Sequence, residues 1–278
     1  MMEALFASST VAVPPAAAKP RQRRPGRIPV TVLASIAFWI AVWWALAAFA
    51  VVPPLFLPSP EAVANRLVTV LTSGFADATL LHHAGASLAR VLSALLLALA
   101  VAVPVGLAMG LSPVLRGVLD PIIEAYRPIP PLAYLPLVVI WFGIGEGAKV
   151  LLIFLAIVPA IALATATGVR SVPAERVNAA RTLGATRLQV LRDVILPNAL
   201  PDILVGARIG LSVGWSTLVA AELVAATRGL GFMIQTASNF LVTDVVIVGI
   251  LTIAAIAFAM EYAMRRLERR LTPWKGKL

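Results

Sequence analysis

From Val30 to Val52 the chain runs for 23 residues without a charged side chain, and runs of similar kind recur to the far end. A helix needs roughly 20 predominantly apolar residues to cross a bilayer core, whereas a tilted barrel strand needs only about 9–11. Inside lipid every backbone polar group must be satisfied within the structure, which leaves helices as the answer for segments this long. Six such spans can be drawn: Val30–Val52, Ala86–Leu111, Leu119–Phe142, Lys149–Val169, Leu200–Leu223 and Val245–Met264. The expected fold class is an all-α membrane protein of about six transmembrane helices, occupying residues 30–278 behind a disordered, Pro/Ala/Arg-rich cytoplasmic tail, residues 1–29. Composition agrees: 13% of residues are charged, about half the usual share of a soluble domain. Ala48-Phe49-Ala50 resembles a leader-cleavage site, but the run before it exceeds the 7–15 residues of a leader core, so an uncleaved anchor is expected.

A net charge of +10 could suggest nucleic acid, but its placement does not. Sixteen of the basic residues fall in the two tails and between Arg170 and Arg192, flanking apolar spans. That is the positive-inside pattern. It predicts a multi-pass membrane protein with both termini and residues 170–196 in the cytoplasm, in contact with lipid and not with nucleic acid. The chain has no cysteine, and its two histidines, His82 and His83, are adjacent. They are expected to be solvent-facing loop residues, without a metal. No catalytic constellation can be placed on one face, so no enzyme is expected.

Within the spans, small residues recur at helical spacing: Gly106 with Gly110, and Gly206, Gly210 and Gly214. This spacing lets helix backbones approach closely. The third span carries Pro121, Pro128, Pro130, Pro131 and Pro136. Backbone broken this often at membrane depth must lie against protein or a water-filled cavity, so the span reads either as a kinked structural helix or as the wall of a transport path. Charges inside spans are costly and tend to be functional. Arg127, beside Tyr126, and Arg208 are candidates to meet an anionic solute, with Glu222, Ser216 and Thr217 as further polar groups of a path. The alternative is that Arg127 and Arg208 reach the interface or pair with Glu124 or Asp202.

Residues 171–201 read SVPAERVNAARTLGATRLQVLRDVILPNALP. Pro173 suits a first helical turn, Gly184 can end a short helix, and a second amphipathic piece should place Leu188, Leu191 and Ile195 on one face before Pro197. By periodicity alone, a helix-turn-helix on the cytoplasmic surface or an interfacial loop on anionic headgroups both fit.

This segment resembles the loop of bacterial ABC importer permeases, with pattern EAA, three residues, Gly, nine residues, Ile-x-Leu-Pro. Asn178-Ala179-Ala180, Gly184, Val194, Leu196 and Pro197 fall on it, with Asn for Glu and Val for Ile. The stretches PLFLPSP, DATLLHHAGASLARV, VGLAMGLSPVLRGVLDPIIEAYRPIPPLAYLPLVVIWFGIGE and GWSTLVAAELVAATRGLGFMI extend the likeness over about residues 50 to 278, to the subgroup serving taurine, aliphatic sulfonates, nitrate and related small anions. The resemblance implies a type I importer permease fold and translocation of a small sulfonate such as taurine by alternating access. It implies a homodimer of permease copies, two ATP-binding cassette subunits and a periplasmic binding protein. Asn178, Ala179, Ala180, Gly184, Ala185 and Pro197 would couple the chain to the ATPase. The chain has no G-x-x-x-x-G-K-[ST] phosphate loop, so ATP and Mg would be held by the partner subunits, with no cofactor in this chain. Another small anion is the alternative cargo. A secondary transporter is the alternative class, but neither internal repeats nor midplane carboxylates are evident.

Overall fold

The computed structural model describes residues 30–274, so the expected tail, residues 1–29, lies outside the described residues. Helices α1 (Val30–Ala48), α2 (Pro60–Thr72), α3 (Leu80–Leu111), α4 (Pro113–Tyr126), α5 (Leu135–Phe142), α6 (Glu146–Arg170) and α7 (Ala174–Thr182) come first. They are followed by α8 (Arg187–Gln189), a wide π-helical stretch at Val190–Ile195, α9 (Leu196–Ala225), α10 (Leu230–Asn239) and α11 (Thr243–Leu271). Among the described residues five segments are long and apolar enough to cross a membrane: α1, α3, α6, the run through α8 into α9, and α11. The chain divides into two units, residues 1–42 and 43–278. The first contributes the start of α1, an apolar helix.

The expected third span is not one helix. α4 ends at Tyr126, and a short 3-10 turn at Pro131–Ala133 precedes α5. Pro128, Pro130 and Pro131 have no N–H, so the i to i−4 ladder cannot pass through them. Between the last two expected spans the chain also folds, into α10. At the start of the second unit, the indole N–H of Trp43 donates to the Pro58 carbonyl and that of Trp44 to Glu61. α2 opens with the Ser59 hydroxyl accepting from the Ala62 N–H and Pro60 in the first turn.

The core is the three-helix contact of α3, α6 and α9, where Val91, Ala98, Ile153, Ile157, Ile161 and Leu218 are fully enclosed. Both glycine patterns face α6. A Cβ on Gly106 would stand 2.5 Å from the Ala162 carbonyl oxygen, and one on Gly110 2.5 Å from Val169 Cβ. On the other side, Gly206 lies against Ala164, and Gly210 and Gly214 against Ile157. In lipid, helices gain little from burying apolar surface against each other, so this dispersion contact replaces the hydrophobic effect as the source of association.

Because the Ala162 carbonyl is backbone and cannot swing aside, Gly106→Leu should cost at least ~1–3 kcal/mol by overpacking. Gly85→Leu, on the same helix but with open space at its Cβ, should cost little. Thermal unfolding of the two variants in detergent checks this; equal midpoints would mean that the α3–α6 contact does not hold the bundle.

Candidate functional site

Three regions carry charged or polar side chains in positions that need explaining. The first lies at the end of the bundle where α6 begins and α9 stops, remote from the 170–196 segment. His83, Ser87 and Arg90 form one stripe on α3, at spacings of four and three residues. Arg90 donates to both oxygens of Glu146 at the start of α6, at 2.5 and 2.8 Å, to Glu222 near the end of α9 at 2.6 Å, and to the Arg228 carbonyl at 2.7 Å. Lys149 pairs with Glu146 at 2.7 Å. Two cations and two carboxylates therefore balance.

The same stripe caps α10. Gly229 donates its N–H to His83 Nδ1, Leu230 to the Ser87 hydroxyl and Gly231 to Glu222. The first N–H groups of a helix have no internal partner, and the α10 start has no local side-chain cap; α3 and α9 supply the caps. Since His83 Nδ1 accepts, its proton sits on Nε2, which donates to the Phe75 carbonyl at 2.9 Å. Gly229 has φ +137, and a Cβ there would strike the Glu222 carboxyl group.

This corrects the expectation for the histidines and places two further charged residues. His82 and His83 both sit on α3 rather than in a loop, and His83 is fully buried; its polar ring is tolerated because both nitrogens are bonded. Glu222, expected on a solute path, has 0% exposure and offers no face to a passing solute. Arg90 was not singled out by the sequence at all, although an arginine inside an apolar span is a signal that can be read.

The second region is the broken third span and the face of α9 beside it. Arg127 caps α4 and, with Thr167 and Asp202, lines a cavity of about 290 Å³ over the α6–α9 seam. Arg127 makes no ion pair among the described residues. Tyr126 and Tyr134 stack with ring centroids 5.6 Å apart, and both hydroxyls are buried. Val205 and Ile209 line the cavity, and Ser216 lies seven residues beyond Ile209 on the same exposed face of α9. Thr217 points the other way, buried with its hydroxyl on the Val213 carbonyl. Arg208 also leaves this face. Instead of Glu124 or Asp202, its guanidinium meets Glu268 at 3.4 Å and Glu261 at 3.9 Å on α11. Of the six candidate path residues, Arg127 lines this cavity, Ser216 lies on the same exposed face of α9, Tyr126 stacks on Tyr134, and Thr217, Arg208 and Glu222 turn elsewhere.

The third region is the segment from Pro173 to Pro197. α7 ends at Leu183, and Gly184, with φ +83, makes the left-handed turn that few other residues tolerate. Thr186 and Gln189 form a reciprocal capping box. The returning limb is braced: Arg176 donates to the Asn198 side chain, whose amide donates to the Val194 carbonyl. The coupling candidates divide. Ala180, Ala185 and Pro197 are half-buried, the two alanines against Val169, Val190 and Ile195, whereas Asn178, Ala179 and Gly184 are exposed. Leu191 and Ile195 turn inward as expected, but Leu188 is exposed, because it precedes the π-helical stretch and does not share that stretch's inward face. Leu183 at the tip is 89% exposed and was not among the sequence candidates, since periodicity cannot tell a tip from a face.

A helical bundle with a glycine-packed core and five segments long and apolar enough to cross a membrane among the described residues is the architecture of a polytopic membrane protein. The chain belongs to the family of binding-protein-dependent transport system inner membrane components, matched over residues 102–273. It is 59% identical over 247 residues to the taurine transport system permease protein TauC of Escherichia coli (strain K12), covering 88% of this chain and 90% of that one. The putative aliphatic sulfonates transport permease protein SsuC of the same organism is 38% identical, covering 84% of this chain and 88% of its own. Among solved structures, the inward-facing MetNI methionine ABC transporter superposes with a TM-score of 0.58 at 21% identity, covering 69% of this chain and 96% of that one. A crystal structure of an amino acid ABC transporter with histidines gives 0.54 at 19%, covering 76% and 96%. The type I importer permease fold is thereby established. The protein is a multi-pass inner-membrane permease subunit, a transport component rather than an enzyme, and its family implies ATPase and substrate-binding-protein partners.

Glu222→Ala would remove the carboxylate that faces the Arg90 guanidinium and accepts from the Ser87 hydroxyl and the Gly231 N–H, leaving Arg90 Nη1 only the Arg228 carbonyl. Breaking a buried ion pair on one side typically costs ~3–5 kcal/mol, so this variant should unfold at a clearly lower temperature in detergent than wild type. An unchanged midpoint would show that the network contributes nothing to holding α10.

Proposed function

We propose that the cargo is a small sulfonate such as taurine and that the working unit contains two copies of this chain. In this reading two ATP-binding cassette subunits, holding ATP and Mg, dock on the 170–196 segments, and a periplasmic binding protein delivers the solute from the other side. Both termini then face the cytoplasm, in keeping with sixteen basic residues on that side. The observation that carries the coupling assignment is the turn at Leu183–Gly184: an apolar residue is held out in solvent on a braced, short-limbed hairpin. A single exposed leucine is ordinary in itself; what supports docking here is its place at the tip of a braced turn, with Asn178, Ala179 and Gly184 exposed beside it. The solute class rests on the kinship with the taurine permease; another small anion is the alternative. The exposed face of α9 from Val205 to Ser216, with Arg127 at its cavity, supports a path between the two copies. A guanidinium there offers a planar fork of donors suited to a sulfonate.

Leu183→Glu should leave the permease folded while co-purification of the ATPase subunit and taurine uptake fall at least tenfold. In the same system a Thr186→Cys variant should react with an impermeant maleimide in inside-out vesicles and not in intact cells. Retained ATPase binding in the first, or labelling from outside in the second, would overturn the docking assignment and the orientation respectively.

Arg127→Gln should lower uptake of labelled taurine in reconstituted vesicles several-fold, normalised to assembled complex, while assembly and basal ATP hydrolysis persist. Unchanged normalised uptake would remove Arg127 from the path. A different anion transported in place of taurine would change the cargo but leave the coupling assignment standing.

A further inference from the structure

The seam between α9 and α11 opens on both sides of the Arg208 bridge. Toward the C-terminal end of α11 lies a cavity of about 350 Å³ lined by Arg208, Arg265, Glu268, Arg269, Thr272 and Pro273. Farther along α9 lies a second, of about 200 Å³, lined by Leu211, Ser212, Trp215, Ala257, Met260 and Glu261. Trp215 is seven residues past Arg208, so the two cavities are offset by about 10 Å along the helix. The first is basic and the second mainly apolar.

Charge at the first cavity is unevenly matched. Glu261 pairs with Arg265 at 2.7 Å, and Arg208 reaches its two carboxylates only at 3.4 and 3.9 Å, longer than the 2.7–2.9 Å of a good charge-assisted bond. Arg269 has no ion pair among the described residues. Three arginines thus face two carboxylates, and Arg266 and Arg270 flank the same turns. In the second cavity the Trp215 indole N–H is buried and has no acceptor among the described residues, an arrangement that costs ~1–3 kcal/mol if nothing fills it.

The geometry points to a bound anionic phospholipid at this seam. Its phosphate would sit among Arg208, Arg265 and Arg269. A glycerol ester carbonyl would accept the Trp215 N–H, and an acyl chain would follow Leu211 and Met260. Basic pockets between transmembrane helices on the cytoplasmic side suit such headgroups, and an indole with one apolar and one polar end suits the level just beneath. A free inorganic anion would satisfy the arginines but leave the deeper cavity empty and the indole unpaired. The inference uses the membrane character of the family and does not depend on the cargo or on Arg127.

The test uses the purified full-length permease in detergent, with phosphatidylglycerol, phosphatidylcholine and inorganic phosphate as separate probes. Phosphatidylglycerol should raise the unfolding temperature and stay bound in native mass spectra, and the other two should not. Arg265→Gln with Arg269→Gln should weaken its retention by about thirty-fold, the loss that two arginines near an anionic lipid carry. A second reading needs no arginine variant. Trp215 fluorescence, taken as the difference between wild type and Trp215→Phe, should be quenched more by phosphatidylglycerol with brominated chains than by phosphatidylcholine with the same chains. Equal quenching and stabilisation by both lipids would reduce the seam to ordinary lipid-facing surface. Phosphate alone stabilising the protein and displacing the lipid would make it a free-anion site. Either result overturns the proposal.

Discussion

The close approach of α3 and α9 to α6 is the contact on which the remaining structure rests. Five glycines, Gly106 and Gly110 on one side and Gly206, Gly210 and Gly214 on the other, bring the flanking helices onto the same central one. In a bilayer the lipid tails are as apolar as the side chains, so association needs packing that lipid cannot match. Glycine removes the Cβ that would hold the helices apart, and long stretches of backbone and side chain then meet at van der Waals distance. The enclosed isoleucines of α6, at positions 153, 157 and 161, fill what remains.

Fixing these three helices fixes the polar chemistry at both ends. At one end the approach of α3 and α9 places Arg90 against Glu222, and the pair then caps a helix that has no cap of its own. A buried ion pair seldom adds net stability over an apolar substitute. Here its value is positional, since it ties the N-terminus of α10 to two spans at once. At the other end α6 and α9 emerge side by side, and the chain between them must turn back within a few residues. Gly184 makes that reversal, and the Thr186–Gln189 box and the Arg176–Asn198 contact stiffen it. In the coupling role proposed for this segment, a stiff connection from the tip to a spanning helix is what is required, because slack between them would absorb the motion.

α9 serves three surfaces at once. Its glycine face packs on α6. The face with Ile209 and Ser216 stays open beside Arg127, and the face with Arg208 and Trp215 looks toward α11. A helix rotates by about 100° per residue, so Arg208 and Ile209, adjacent in sequence, belong to different surfaces.

The sequence by itself determined the helical class, five of the six span positions to within seven residues at each end, both glycine stripes and the turn at Gly184. Each is local: apolar length, four-residue spacing or the backbone demand of a single residue. It also marked the third span as broken, because three prolines between 128 and 131 remove N–H groups whatever surrounds them. What only the tertiary structure decided was the direction and partner of each polar side chain. Glu222 and Arg127 look alike in sequence, as ionisable groups in apolar surroundings, yet one is sealed into a four-charge cluster and the other lines a cavity. His83 reads as a loop residue until α9 and α10 are placed beside it. Leu183 and Leu188 have the same residue type as the inward-facing Leu191, and only the tight turn and the start of the π-helical stretch leave the first two in solvent. Burial and charge pairing are set by contacts between segments as far apart in the chain as the 178 residues between Arg66 and Asp244, and no periodicity within one segment encodes them.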